Sequence, residues 1–195
     1  MIKQSFRLYY DAEFTSLTRE GALISMAFVS EGSHTFYAEF SDYPKDQVTP
    51  WVAEHVLSRL IYQSKNSHIE KGKTHVSVKG NAKTVTREFC LWIKAFGAIE
   101  IYGDCPSYDW VFFCDLFGSA LNIPESIYYI PFDLATALRF RGIDPDIDRE
   151  AFVAGRLGED FVEALKRTVL GKHNALYDAL ILKNMMAIME GDNAP

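Results

Sequence analysis

The chain has 195 residues, 48% hydrophobic and 24% charged, with a formal net charge of −6. That profile fits one globular domain with room for a full core. It excludes a disordered chain and, since no apolar run nears the ~18 residues required, a membrane-spanning one. The acidic balance argues against a protein whose main work is to coat nucleic acid, but not against an enzyme that grips a few phosphates.

The opening stretch "MIKQSFRLYYDAEF" has an apolar run too short, and too broken by charge, for a signal peptide. Within it "SFRLYYDAEF" reads as a first strand. It finishes with Asp11 and Glu13, one residue apart and so on one face. "ALISMAFVS" and "HTFYAEF" read as the next two strands, joined by the tight hairpin "EGS". "TPWVAEHVLSRLIY" reads as a helix, capped by Thr49 with Pro50 in its first turn. Between Gln63 and Arg87 the chain carries Lys65, Lys71, Lys73, Lys79, Lys83 and Arg87 against Glu70 alone. Residues 63–83 show no strong period and are expected to form a basic loop, either a solvated one or a docking site for a polyanion.

"TVTREFCLWIKAFG" predicts a second helix, "AIEIYGD" a short strand and "PSYDWVFFCDLFG" a third helix. Asp133 can cap "LATALRFRG". The stretch 143–172 is expected to be largely irregular: loop with a short helix over 143–158, then the helical "EDFVEALKRTVLG". Asn174 can cap the closing apolar helix "NALYDALILKNMMAIM". The order predicts a mixed α/β sheet, with the hairpin at its edges and helices packed on it. Cys90, Cys105 and Cys114 are odd in number and form no CxxC pair, so a disulfide framework and a zinc site are both excluded. A reducing cytoplasm is the expected compartment.

Carboxylates occur inside apolar segments at three places: Asp11 and Glu13 on the first strand, Asp109 early in the third helix, and Asp178 early in the last helix. Each taken singly could be solvated, or could complement a helix dipole. Together they can converge at one edge of the sheet, where they cannot all ionise without cations. Oxygen ligands without cysteine suit Mg²⁺ or Mn²⁺. Paired ions of this kind serve in-line phosphoryl displacement. His173 precedes Asp178 by five residues, which on a helix would leave them about 140° apart. His173 is therefore expected on the loop after Gly171, reaching in as a general base for water.

"DAE", "SYDW" and "HNALYDA" resemble the three motifs of the DEDDh 3′→5′ exonucleases, which have the ribonuclease H-like fold. "ALISMAFVSEGSHTFYAEF", "WVAEHVLSRL" and "IEIYGDCPSYDWVFFCDLFG" are most similar to small bacterial exoribonucleases of the RNase AS type, described as acting on adenylate-rich RNA. The resemblance runs through most of residues 5–185. It implies a single exonuclease domain over 1–195, two Mg²⁺ ions with Mn²⁺ as substitute, and a homodimer. It implies that Asp11, Glu13 and Asp178 hold the first ion, that Asp11 bridges to the second, that Asp109 acts mainly through bound water, and that His173 is the base. Asp104 is an alternative for the second motif. Phe14 and Tyr108 are candidates to stack on a terminal base, with core packing as the other reading of Phe14. Single-stranded RNA is the expected partner. Single-stranded DNA, and an inactive nucleic-acid-binding scaffold, are the alternatives.

Overall fold

The computed structural model describes residues 5–191. Residues 1–4, the start of the stretch read as no signal peptide, and 192–195 lie outside the described residues of the expected domain. Seven strands form one mixed sheet: β1 (Phe6–Phe14), β2 (Leu23–Ser30), β3 (Thr35–Phe40), β4 (His68–Lys71), β5 (His75–Gly80), β6 (Ile99–Gly103) and β7 (Phe132–Asp133). Their order across the sheet is β4-β5-β3-β2-β1-β6-β7. β2 is antiparallel to both β1 and β3, β6 and β7 extend the sheet in parallel from β1, and β5 runs parallel to β3. The β2–β3 hairpin thus lies inside the sheet and not at its edges, because β5 pairs with the outer side of β3. All eight residues of β2 are buried. Its lack of alternation in "LISMAFVS" follows from having helices over both faces.

Side-chain alternation along β1 splits the core in two. Leu8, Tyr10 and Ala12 face one layer, where they meet Phe89 and Trp92 of α2 (Ala82–Trp92) and Phe112 and Phe113 of α3 (Ser107–Asp115). Tyr9 faces the other layer, made by α4 (Leu134–Phe140), α5 (Arg149–Leu157), α6 (Glu159–Val169) and α7 (Ala175–Gly191). α7 is apolar nearly all round and packs against β1 and β2, as a helix buried on most sides must. By the same alternation Asp11 and Glu13 point towards α7.

Three expectations are corrected here. Residues 63–83 are not a loop, since they contain the β4–β5 hairpin and lead into α2. β5 has valines on one face and, on the other, Lys79 directly opposite Glu39 of β3. Glu39 is fully buried; it takes the Lys79 ammonium at 3.2 Å, the Tyr37 hydroxyl at 2.9 Å and the Tyr62 N–H at 2.8 Å. A charge therefore stands where the strand pattern wants an apolar residue, and its counter-charge is forty residues away. Second, 143–172 is not largely irregular: the short helix expected within 143–158 is α5, capped by Asp148, the helix expected over 159–171 is α6, and together they make up most of the stretch. Third, the helix expected over 49–62 is α1 (Pro50–His55) followed by a 3₁₀ turn at Leu57–Arg59. It stops there because the Tyr62 N–H is committed to Glu39 and its carbonyl accepts from Lys79 at 2.6 Å. The caps expected of Thr49, Asp133 and Asn174 are in place.

Lys79→Met leaves Glu39 buried without its cation. The expected loss is ~3–5 kcal/mol of unfolding free energy, measured in urea. The double variant Lys79→Met/Glu39→Gln is expected to recover most of it. An unaffected single variant would mean that water reaches the pair.

Candidate active site

β1 and β6 are paired only as far as Tyr9 and Tyr102, so the end of β1 leaves the sheet on that side. On its other side, the pairing with β2 shifts register between Glu13 and Phe14. The vacated edge is taken by α3: Asp109 Oδ1 accepts the Ala12 N–H at 3.0 Å, and the Tyr10 hydroxyl donates to the Asp109 carbonyl at 3.0 Å. Asp109 is thereby tied to the backbone between the two strand acids.

α7 supplies the opposite side. α6 ends at Leu170 in the left-handed region (φ +65°), and Gly171 (φ +80°) and His173 (φ +67°) also have positive φ. This tight loop puts His173 off the helix, as the five-residue spacing required. It is pinned at three points. The His173 N–H donates to Asp178 Oδ2 at 2.8 Å, the Asn174 side-chain amide donates to the Arg59 carbonyl at 2.7 Å, and the Asn174 N–H donates to the Gly171 carbonyl at 3.2 Å.

The result is a carboxylate cluster in which oxygens of Asp11, Glu13 and Asp178 lie within 4.8 Å of one another. His173 Nδ1 is 3.9 Å from Glu13 Oε1. Asp109 is not one of the three, but it is near enough to raise the pKa of Asp11 and Glu13. Asp11 Oδ2 is buried without any hydrogen-bond partner. A buried carboxylate oxygen with two like charges around it and no donor is costly as it stands. The donor set, all oxygen with an imidazole beside it, suits a hard divalent cation.

The electrostatics follow from burial. Desolvation, with Asp178 and Glu13 as the next causes, holds Asp11 well above the usual carboxylate range. Desolvation also pushes Glu13 up to about 8, Asp178 to about 7 and Asp109 to about 6. In Asp178 the His173 N–H works against that rise, and in Asp109 the Ala12 N–H does the same. His173 is shifted the other way, lowered by burial and then by Lys172, His55 and Arg59.

Around the cluster is a cleft of about 530 Å³, walled by Asp104, Leu134, residues 146–150, Lys172 and Ile181. Asp104, the alternative for the second motif, is held in the wall by two bonds from Arg149, at 2.7 and 3.0 Å. Phe14 is half-buried against Phe112, ring centroids 5.2 Å apart, and lies 6.3 Å from the exposed ring of Tyr108. The structure also brings in two residues not singled out from the sequence. The Trp51 ring meets His173 edge-on at 5.2 Å and stacks on His55 at 4.6 Å. Nothing in "WVAEHV" marks that contact, because it depends on where the α6–α7 loop comes to rest.

No family model matches the chain. It is 26% identical over 121 residues to two curated proteins of Mycobacterium tuberculosis, from strains CDC 1551 and H37Rv, each named 3′-5′ exoribonuclease. The match spans 62% of this chain and 67% of each relative. Among solved structures it superposes on cell-death related nuclease 4 with a TM-score of 0.60 at 13% identity. That alignment takes in 97% of this chain but only 65% of the nuclease chain. The likeness shows the fold. It is consistent with the ribonuclease H-like sheet expected from the sequence.

Carboxylates with raised pKa values bind protons more tightly in the folded state than in the unfolded one, so their contribution to stability is present at low pH and lost as pH rises. Without a metal ion, the melting temperature is therefore expected to fall between about pH 4 and pH 8, the span from ordinary carboxylate values to that of Glu13. Scanning calorimetry in EDTA reads this directly. Asp11→Asn should flatten the fall and raise the melting temperature at pH 8, and a divalent cation should do the same for the wild type. A flat wild-type profile would mean the cluster is solvated.

Proposed function

We propose that the protein is a divalent-metal-dependent 3′→5′ exoribonuclease that releases nucleoside 5′-monophosphates from single-stranded RNA, with adenylate-rich RNA as the preferred substrate. The observation that carries the proposal is the convergence of Asp11, Glu13 and Asp178 around an unsatisfied buried oxygen, with His173 beside them. The naming of two distant relatives as 3′-5′ exoribonucleases supports the same reading.

In this reading Asp11, Glu13 and Asp178 hold one ion, and Asp11 with Asp109 holds a second, Mg²⁺ or in its place Mn²⁺. Such ions, when bound, neutralise the cluster and stabilise charge on the attacking and leaving oxygens of a phosphodiester. The chain's own groups do the rest. The Ala12 and His173 N–H groups fix the carboxylates of Asp109 and Asp178, so those acids need no reorganisation when substrate arrives. The lowered pKa of His173 keeps its imidazole neutral at neutral pH. It can then take the proton of the attacking water at Nδ1, the nitrogen on the Glu13 side. Water oxygen would bond to phosphorus as the bond to the 3′ oxygen of the penultimate nucleotide breaks; that oxygen would leave as a hydroxyl with a proton from solvent water, and the proton on His173 would return to solvent. Phe14 and Tyr108, next in sequence to Glu13 and Asp109, would stack on the terminal base. The proposal extends to a homodimer in a reducing cytoplasm. The three free thiols fit such a compartment.

A time course with 5′-labelled oligoadenylate RNA and the matched DNA, in Mg²⁺ or EDTA, tests the reading. A ladder shortening from the 3′ end only in Mg²⁺, and faster on RNA, is expected. Asp11→Ala should abolish it, and His173→Ala should slow it by ~10²–10⁴-fold. Equal rates on DNA would remove the RNA preference, and cleavage of neither would remove the activity.

A further inference from the structure

Beside the acidic cleft is a second groove of about 620 Å³, on the far side of His173. Its lining is of opposite sign: His55, Arg59, Lys166, Arg167 and Lys172, with the Leu170–Gly171 turn and His173 itself. It contains no carboxylate. Lys172 and His173 line both this groove and the acidic cleft, so the two are continuous across that pair. The cations come from separate elements: Arg59 from the 3₁₀ turn after α1, Lys166 and Arg167 from the last turn of α6, and Lys172 from the α6–α7 loop.

Not all of this charge is available. Lys166 is matched by Glu150 at 2.8 Å and Glu163 at 3.1 Å. Arg59 gives one hydrogen bond, at 3.3 Å, to the Leu170 carbonyl. Arg59, Arg167 and Lys172 form no ion pair with the described residues and are all exposed. Three cations without an ion pair thus stand together on a protein of net charge −6, of which Lys172 also faces Asp178 across the cleft. They also stand where the α6–α7 loop is pinned to the backbone of Arg59 through Asn174, which fixes their spacing. A charge cluster held in register beside a phosphodiester-cleaving centre is suited to a regularly spaced polyanion.

We propose that this groove holds phosphates of the RNA strand away from the cleaved bond, and that Arg59, Arg167 and Lys172 are its contacts. The inference rests on the exoribonuclease reading above. It places the polyanion grip on α6 and the His173 loop, whereas the sequence had suggested 63–83, where Lys71 and Lys79 are already paired with Glu88 and Glu39. It predicts that substrate affinity is strongly salt-dependent despite the acidic composition, with roughly 0.7 unit of the log–log slope for each cation engaged by a single strand.

The test is fluorescence anisotropy of a labelled 12-residue oligoadenylate RNA over a salt series, with Ca²⁺ in place of Mg²⁺. Wild type, Arg167→Ala and Arg59→Ala/Arg167→Ala are compared. The expected result is a slope shallower by about 0.7 in the single variant and about 1.4 in the double. In Mg²⁺, the double variant should also lose at least tenfold of its kcat/KM preference for the 12-mer over a dinucleotide. Arg167 lies on the outer surface of α6, so its variant folds even if the double does not. Slopes equal to wild type in both variants would overturn the inference. If the wild type turns over neither RNA while the slopes still change as expected, the groove stands and the exonuclease reading falls.

Discussion

The organising constraint is the repulsion among four carboxylates gathered at the end of β1. Burial disfavours each, and Asp178, Glu13 and Asp109 raise Asp11 further while Asp178 and Asp109 do the same to Glu13. No local propensity would bring them together. They are held because Asp11 and Glu13 sit on a strand flanked by two apolar layers, while Asp109 and Asp178 sit on helices those layers fix in place. The folding free energy of the sheet and helices offsets the electrostatic cost at the site. Such an arrangement persists when a ligand of opposite charge recovers the difference.

The contrast with other buried charges makes the point sharper. Glu39 is more deeply buried than Glu13, yet it has a lysine, a hydroxyl and a backbone N–H. Glu88 has Lys71 and Arg87, and Asp104 has both arms of Arg149. Asp133 is consumed in capping α4. The chain therefore supplies protein counter-charges readily where an acid has a structural task. At Asp11 it supplies none, and that omission is what sets Asp11 apart from the buried structural acids.

The legibility of these features in the sequence follows from the range of the interactions. The D-x-E spacing fixes a shared face by strand geometry alone, and the five-residue gap between His173 and Asp178 excludes a common helix face by helix geometry alone. The caps at Thr49, Asp133 and Asn174 depend on bonds two or three residues long. What was misread depends on distant partners. β5 was hidden because Lys79 interrupts its pattern, and Glu39, which neutralises it, lies in β3. Helix was expected as far as Tyr62, whose N–H the same Glu39 holds instead. Lys71 and Lys79 looked like free charge because neither Glu88 nor Glu39 is near in sequence to the lysine it binds. The ion pair of Asp104 with Arg149, forty-five residues on, is equally invisible in the local sequence.

Screening sets how an acidic chain could hold an RNA strand. At physiological ionic strength charges more than ~8–10 Å apart at the surface are largely screened from each other. The total of −6 thus acts weakly on a strand in the groove, and the local arrangement dominates. His173 stands between two fields of opposite sign, the carboxylate cluster on one side and Arg59 with Lys172 on the other. Burial lowers its pKa, and Lys172, His55 and Arg59 lower it further, while the acids beside it could take a cation of their own. A phosphodiester strand, drawn to one side by arginine and lysine and to the other only through bound metal, would be anchored across the residue proposed to accept the proton. Binding and proton transfer would then depend on one short loop, Leu170–Asn174, constrained by its positive-φ residues and its anchoring hydrogen bonds.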